Sequence, residues 1–394
     1  MIKKLFLSLI IGVSLVCFAM LFAKHADDGK ITIQFASWGS ESEVSILKPI
    51  IRNFEKENPE IKILFMHIPQ NYFQKIHLLF ASNTSPDVIF MNNQYLPIYA
   101  NAGVLEDLSD IDFEYDKFYP QALNALKWKN RIYGIPRDVS NLVVFYNKDL
   151  FDKYKINYPV SGWTLEDLLI TSQKLTHLPY VYGISFDEDP LYFLSYITVF
   201  GGWTQEDVDS FFKSDILKNR KISQGLDFYA DLRKKYHVAP YRQESASATM
   251  AQLFLQQKLG LYVSGRWMVP KFRSEANFVW DVVSFPKLNK QTESYIPLDA
   301  SGWVISKSTK NKKAAIKLVK YLASKKNIEK ITKSGLIVPA RVDVANSKVF
   351  LDGKAPYSAK VFLESVYHSK PTPTSLRYRE ILDELKKKTE YVFN

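Results

Sequence analysis

Thiol chemistry is almost absent from this chain. Cys17 is the one cysteine in 394 residues, which excludes an internal disulfide, a thiolate metal cluster and a redox pair. Histidine is sparse as well. Residues 25, 67, 77, 177, 237 and 368 are scattered, and no two stand three or four apart on a helix as a zinc site needs. No nucleophile elbow occurs. The run Gly260–Arg266 (GLYVSGR) starts like a phosphate loop, but Arg-Trp stands where Lys-Ser/Thr is required. Internal repeats and low-complexity segments are also missing. No metal and no cofactor are expected. One catalytic possibility stays open: a pair of carboxylates assembled by folding, as in an exported glycoside hydrolase, because Asp and Glu are numerous and sequence does not show distances.

What the chain does contain is a large folded body. Apolar residues make up 46% and charged residues 24%, and the length suits two domains. The formal charge is +11, yet the lysines are dispersed or lie on helical faces (Lys310, Lys312, Lys313, Lys317; Lys386–Lys388). They read as solvated faces, so nucleic acid is not an expected partner.

The N-terminus opens with Lys3-Lys4, then 19 uncharged residues from Leu5 to Ala23, then polar HADDGK. A basic start before an apolar run is an export signal, placed at residues 1–26. Its length also suits an N-terminal membrane anchor. Either way the body is expected outside the cytoplasm, periplasmic or extracytoplasmic. Ser14-Leu15-Val16 makes a poor lipoprotein box before Cys17.

Along the body, strands are expected at Ile31–Ala36, Ile61–Ile68 and Asp87–Met91, with helices at Glu43–Glu57 and Tyr72–Phe80 between them, an α/β pattern. Ligands sit beyond the carboxyl ends of such strands. The polar loops Trp38–Glu41 and Asn92–Tyr95 occupy that position. The stretch RIYGIPRDVSNLVVFYNKDLF (131–151) reads as the crossover to a second lobe. Its apolar run suggests a strand buried on both faces, as in a parallel sheet, ending at Asn147 as a helix start. Thr164 and Asp167 are spaced as a capping box. A last strand is expected to begin at Ser301. Five of the seven tryptophans (Trp38, Trp163, Trp203, Trp267 and Trp303) lie within two residues of a glycine. Such residues are either core or the aromatic walls of a cleft suited to sugar rings.

Taken in order, FASWGSE, SPDVIFMNNQY, AGVLEDLSDI, SGWTLEDL, FGGW, KLGLYVSGRW, GWVISKSTKNKKAAIKLVKYLAS and GLIVPAR, with the crossover stretch, resemble the extracellular solute-binding proteins of ABC importers. The group in question includes maltose- and glycerol-3-phosphate-binding proteins. The resemblance implies a two-lobed, periplasmic-binding-protein-like α/β fold of type II, each lobe a mixed sheet flanked by helices. Lobe 1 would hold residues 30–137 with 302–335, and lobe 2 residues 138–301 with 336–394. Hinge crossovers would fall near Pro136–Leu142, Pro297–Gly302 and Gly335–Ala340. It implies a monomer that binds a sugar or a phosphorylated polyol and docks on permease subunits. The family's ligand contacts would fall on Trp38, Glu41, Asn92, Asn93, Gln94, Asp138, Ser140, Asp189, Tyr192, Trp203, Trp267, Ser301, Gly302 and Tyr378. Arg266 departs from the small residue or proline usual before the loop tryptophan. With Arg137 and Arg377 it would form an anion pocket, unless each pairs with a local acid. The chain also stops sooner after LDELKKKTEYVFN than is usual, as though lacking a last helix.

Overall fold

The computed structural model describes residues 29–245 and 248–393. The export segment and Cys17 lie outside them. Among the described residues no helix is long and apolar enough to cross a membrane.

The first sheet grows from a parallel α/β unit. β1 (Ile31–Ser37) leads into α1 (Glu41–Glu57), which begins earlier than the apolar spacing suggests because Ser40 and Glu43 form a capping box. Val44, Ile50, Ile51 and Phe54 form its buried stripe. β2 (Ile61–His67) pairs in parallel with β1 from Ile31↔Ile61 to Ser37↔His67. After α2 (Tyr72–Ala81), β3 (Val88–Asn92) pairs in parallel on the other side of β1.

β4 (Gly134–Ser140) belongs to this sheet, but the next strand, β5 (Val143–Asn147), does not. β5 enters a second, four-stranded sheet. All five of its residues are buried, as expected, but its pairing is antiparallel and corrects the parallel expectation. Burial on both faces needs only a packed layer on each side. Val143 and Phe145 enter one apolar cluster, Val144 and Tyr146 the other.

Asn147 caps α3 (Lys148–Tyr154), its side chain accepting from the Leu150 N–H at 3.1 Å. Thr164 and Asp167 form the expected capping box of α4 (Leu165–Leu175). The N–H and hydroxyl of Thr164 hold the Asp167 carboxyl below its ordinary value. The second lobe continues through β6 (Tyr182–Ile184), α5 (Pro190–Val199), α6 (Arg220–Lys234), β7 (Leu259–Ser264) and β8 (Trp280–Ser284). Its strand order is β8-β5-β7-β6.

β9 (Ile296–Ile305) returns to the first sheet between β3 and β4, antiparallel to both. It begins before Ser301, the expected start, because Ile296–Leu298 pair with a short strand at 369–371. After α7 (Lys312–Leu322) and α8 (Lys325–Thr332), β10 (Val338–Pro339) pairs with the end of β4. The last helix, α9 (Tyr378–Phe393), buries Ile381, Leu385 and Phe393 in the second lobe's core. The three expected crossovers therefore converge: β4, β9 and β10 lie side by side where the chain passes between two sheets.

Candidate functional site

A cavity of about 220 Å³ opens at this junction. Its walls come from the loop after β1, the three hinge strands and the loop after β7. Trp38, Arg137, Asp138, Ser140, Arg266, Trp267 and Ser301 from the expected set all line it, together with Glu43 and Asn141.

Each wall residue has a local reason for its position. The Trp38 ring sits in an aromatic nest, 4.3 Å from Phe90 and 5.1 Å, edge-on, from Tyr72. Arg137 spans the junction. Its Nε donates to Asp138 Oδ1 at 2.5 Å, its Nη2 lies 3.7 Å from Glu43 Oε1, and its guanidinium covers the Phe90 ring at 4.1 Å. Burial raises the Asp138 carboxyl above its ordinary value, while Arg137 pulls it back. Trp267 turns back across Gly265. A Cβ at position 265 would sit 1.8 Å from the ring's Cζ3, so the ring occupies space that only glycine leaves. Trp267 is half-buried on the cavity wall.

The three arginines do not gather. Arg137 is committed to Asp138 and Glu43. Arg377 is exposed, pairs with Glu380 at 2.7 Å and stacks on Phe212 at 3.8 Å. It faces a separate, wider groove of about 870 Å³ between residues 124–129, 205–213 and 371–377, which contains none of the hinge-strand pairs. Arg266 stays at the hinge cavity, buried, with Nε and Nη1 lacking a hydrogen-bond partner among the described residues.

The loop after β3 is largely tied to the hinge. Asn92 Oδ1 accepts from the Tyr95 N–H at 3.3 Å and shapes the turn. Asn93 is buried, donating to Asp299 Oδ1 at 2.9 Å and accepting from the Ala300 N–H at 3.1 Å. Gln94 donates to Asp299 Oδ2 at 3.1 Å, and Arg379 of α9 reaches Gln94 Oε1 at 3.4 Å. Asp299 is thus a central group that sequence reading missed. Gly302 offers no side chain. It lets β9 cross β4 at a bulge, where a Cβ would meet the Ile135 carbonyl oxygen at 2.1 Å.

The remaining expected residues divide. Glu41 is exposed at the start of α1, 3.8 Å from His67. Asp189 is the N-cap of α5, accepting from the Leu191 N–H at 2.9 Å. Tyr192 lines a small hollow with Asp187 and Tyr262, and burial pushes its phenol well above the ordinary range. Asp187, also raised by burial, and Tyr262 went unread. Asp187 follows strand β6, a position that could have flagged it. Tyr262 sits inside an otherwise apolar strand. Trp203 and Tyr378 are each 1% exposed in the second core. They hold that lobe together and offer no face to a solute.

Two sheets joined by adjacent antiparallel hinge strands, with a polar, aromatic-walled cavity at the joint, define a two-lobed binding protein. The sequence model described as "Bacterial extracellular solute-binding protein" matches residues 24–329, and the chain belongs to that family. Family membership places the folded body outside the cytoplasm. Similar proteins include the galactooligosaccharide-binding protein of Bacillus subtilis, 24% identical over 369 residues covering 91% of this chain and 83% of the relative. The maltotriose-binding protein of Pyrococcus abyssi is 20% identical over 341 residues, 85% of this chain and 71% of the relative. Among solved structures, an ABC substrate-binding protein of Listeria monocytogenes in complex with cycloalternan superposes with a TM-score of 0.81 at 26% identity, covering 93% of this chain and 94% of the other. The GacH receptor of Streptomyces glaucescens gives 0.78 at 20% identity, with 92% and 93% covered. These superpositions confirm the two-lobed fold.

Proposed function

We propose that this chain is the solute-capturing component of an ABC importer. It takes a carbohydrate-type small solute between its lobes, closes on it by hinge motion and presents it to a membrane permease. Lobes of 30–137 with 302–335 and 138–301 with 336–394 would move as the two bodies of a monomer exported by its N-terminal segment, whether that segment is cut or retained.

One observation carries this reading: Trp267 shares the cavity wall with residues whose buried polar atoms have no partner among the described residues, Asn141 Nδ2 and Oδ1 among them. A sugar offers an apolar ring face to the first and hydroxyls to the second. The named specificities of the relatives point the same way. The hydrolase alternative finds less support. The two carboxylates on the cavity wall, Glu43 and Asp138, both engage Arg137, so neither stands free as nucleophile or acid.

A thermal-shift screen tests this. The panel is galactose- and glucose-based oligosaccharides, glycerol 3-phosphate and a glycerophosphodiester at matched concentration. At a hundredfold excess over Kd a ligand adds about 2.7 kcal/mol to stability, a rise of several degrees in Tm. At least one panel member is expected to produce it and to be recovered intact by chromatography. No response from any member would count against the ligand class, and a hydrolysed product would support the enzyme alternative.

A further inference from the structure

Three arginines were candidates for an anion pocket, and two act as controls for the third. Arg137 and Arg377 each found local acids. Arg266, 3% exposed and lining the hinge cavity, makes no direct ion pair among the described residues. Its guanidinium lies over the Phe350 ring at 3.8 Å, with Phe362 at 5.2 Å. Stacking uses the flat face of the group. The in-plane N–H donors are what carboxylates and phosphates bind, in forked pairs. Those on Nε and Nη1 are unmatched.

The surrounding acids are already engaged. Asp352 takes both Arg273 Nη atoms at 2.9 Å and also accepts from the Lys354 N–H. Glu43 and Asp138 are held by Arg137. Asp352 acts on Arg266 only through space, and a buried cation with no directly bonded counter-charge is costly, so structures keep one where a further group supplies the bond. Burial and the neighbouring Arg273 lower the Arg266 guanidinium to about 9, with Asp352 partly offsetting them, which still leaves it protonated at neutral pH. Asn141, on the same cavity and 4% exposed, has both amide atoms unmatched. A cation and an amide that can donate, lining the same cavity, together suit an anionic oxygen group.

We infer that the captured solute carries an acidic group, carboxylate or phosphate, received by Arg266 and Asn141 at the hinge end of the cavity. This rests on the binding-protein reading above and narrows its ligand to acidic saccharides or sugar phosphates.

Two matched pairs separate the sources of the charge: galactobiose against digalacturonate, and glucose against glucose 6-phosphate. Each is titrated calorimetrically into the intact exported body at fixed ionic strength. In at least one pair the acidic member is expected to bind tenfold or more tightly than its neutral partner, and R266M is expected to bring that ratio close to one. Circular dichroism checks the variant's fold. Should R266M not fold, R266K keeps the charge without the fork and is expected to lose most of the preference. Neutral members binding as well as acidic ones, or a preference that survives these substitutions, overturns the inference while leaving a sugar binder in place. Binding of none of the four overturns this inference, while the binding-protein reading stands or falls by the wider thermal-shift panel.

Discussion

Gly302→Ala is expected to lower the melting temperature of the unliganded protein by about 4 °C, following an overpacking cost of about 3 kcal/mol. The added Cβ would sit 2.1 Å from the carbonyl oxygen of Ile135, 2.7 Å from its carbon and 2.8 Å from the Pro136 Cα. All three are backbone atoms of β4, locked in the ladder with β9 at a bulge between Ser301 and Gly302. No rotamer change relieves that contact, so a hinge strand must move. Gly134→Ala, in the same strand pair, is the control. Its nearest neighbour is Leu126 Cδ1 at 3.2 Å, the end of a flexible side chain, and its cost is expected to stay below about 1 kcal/mol. Scanning fluorimetry of both variants reads the difference. Equal melting temperatures would mean that the hinge strands do not cross as closely as described.

The second large effect falls on binding. Trp267→Ala removes the ring from the cavity wall and is expected to weaken binding of the solute identified by the thermal screen by about 10- to 30-fold, or about 1.4–2 kcal/mol. Gly265→Ala should do at least as much with the tryptophan still present. Its Cβ would overlap the ring at 1.8 Å and 2.3 Å and drive it from its seat. Titration calorimetry on both variants, with folding checked by circular dichroism, makes the comparison. A Gly265→Ala protein with wild-type affinity would show that the ring does not act from this position.

Local chemistry was legible in the sequence. The Thr164–Asp167 box and the Asn147 cap involve residues a few positions apart, and both stand where spacing placed them. The double-sided burial of β5 was equally visible in its unbroken apolar run. Its pairing direction was not, because its partners β7 and β8 come far later in the chain. Distance in sequence also hid Asp299, whose role depends on Asn93 and Gln94, 206 and 205 positions earlier but beside it at the end of the neighbouring strand. The start of β9 was masked by Pro297 and Asp299, which look like loop residues until the strand at 369–371 is seen beside them.

The glycine–tryptophan pattern shows why a local signal can carry two meanings. Beside Trp267 the glycine makes room for a ring turned toward the cavity. Gly202, beside Trp203, serves packing instead: its Cβ would meet Ile222 Cγ1 at 2.8 Å and Ile197 Cγ2 at 3.0 Å. Close approach between core elements needs the same residue as a turn at a site. Trp163 shows the core outcome again, buried with its indole N–H donating to the Ser284 carbonyl at 2.8 Å. Only the assembled fold separates the cases.

Hinge closure around a solute is tested most directly by small-angle X-ray scattering of the exported body, alone and saturated with the ligand found by thermal shift. The expected outcome is a smaller radius of gyration and a shorter maximum dimension in the saturated sample, with the ligand recovered chemically unchanged. Superimposable profiles at proven saturation would contradict a mechanism in which the lobes shut on what they carry.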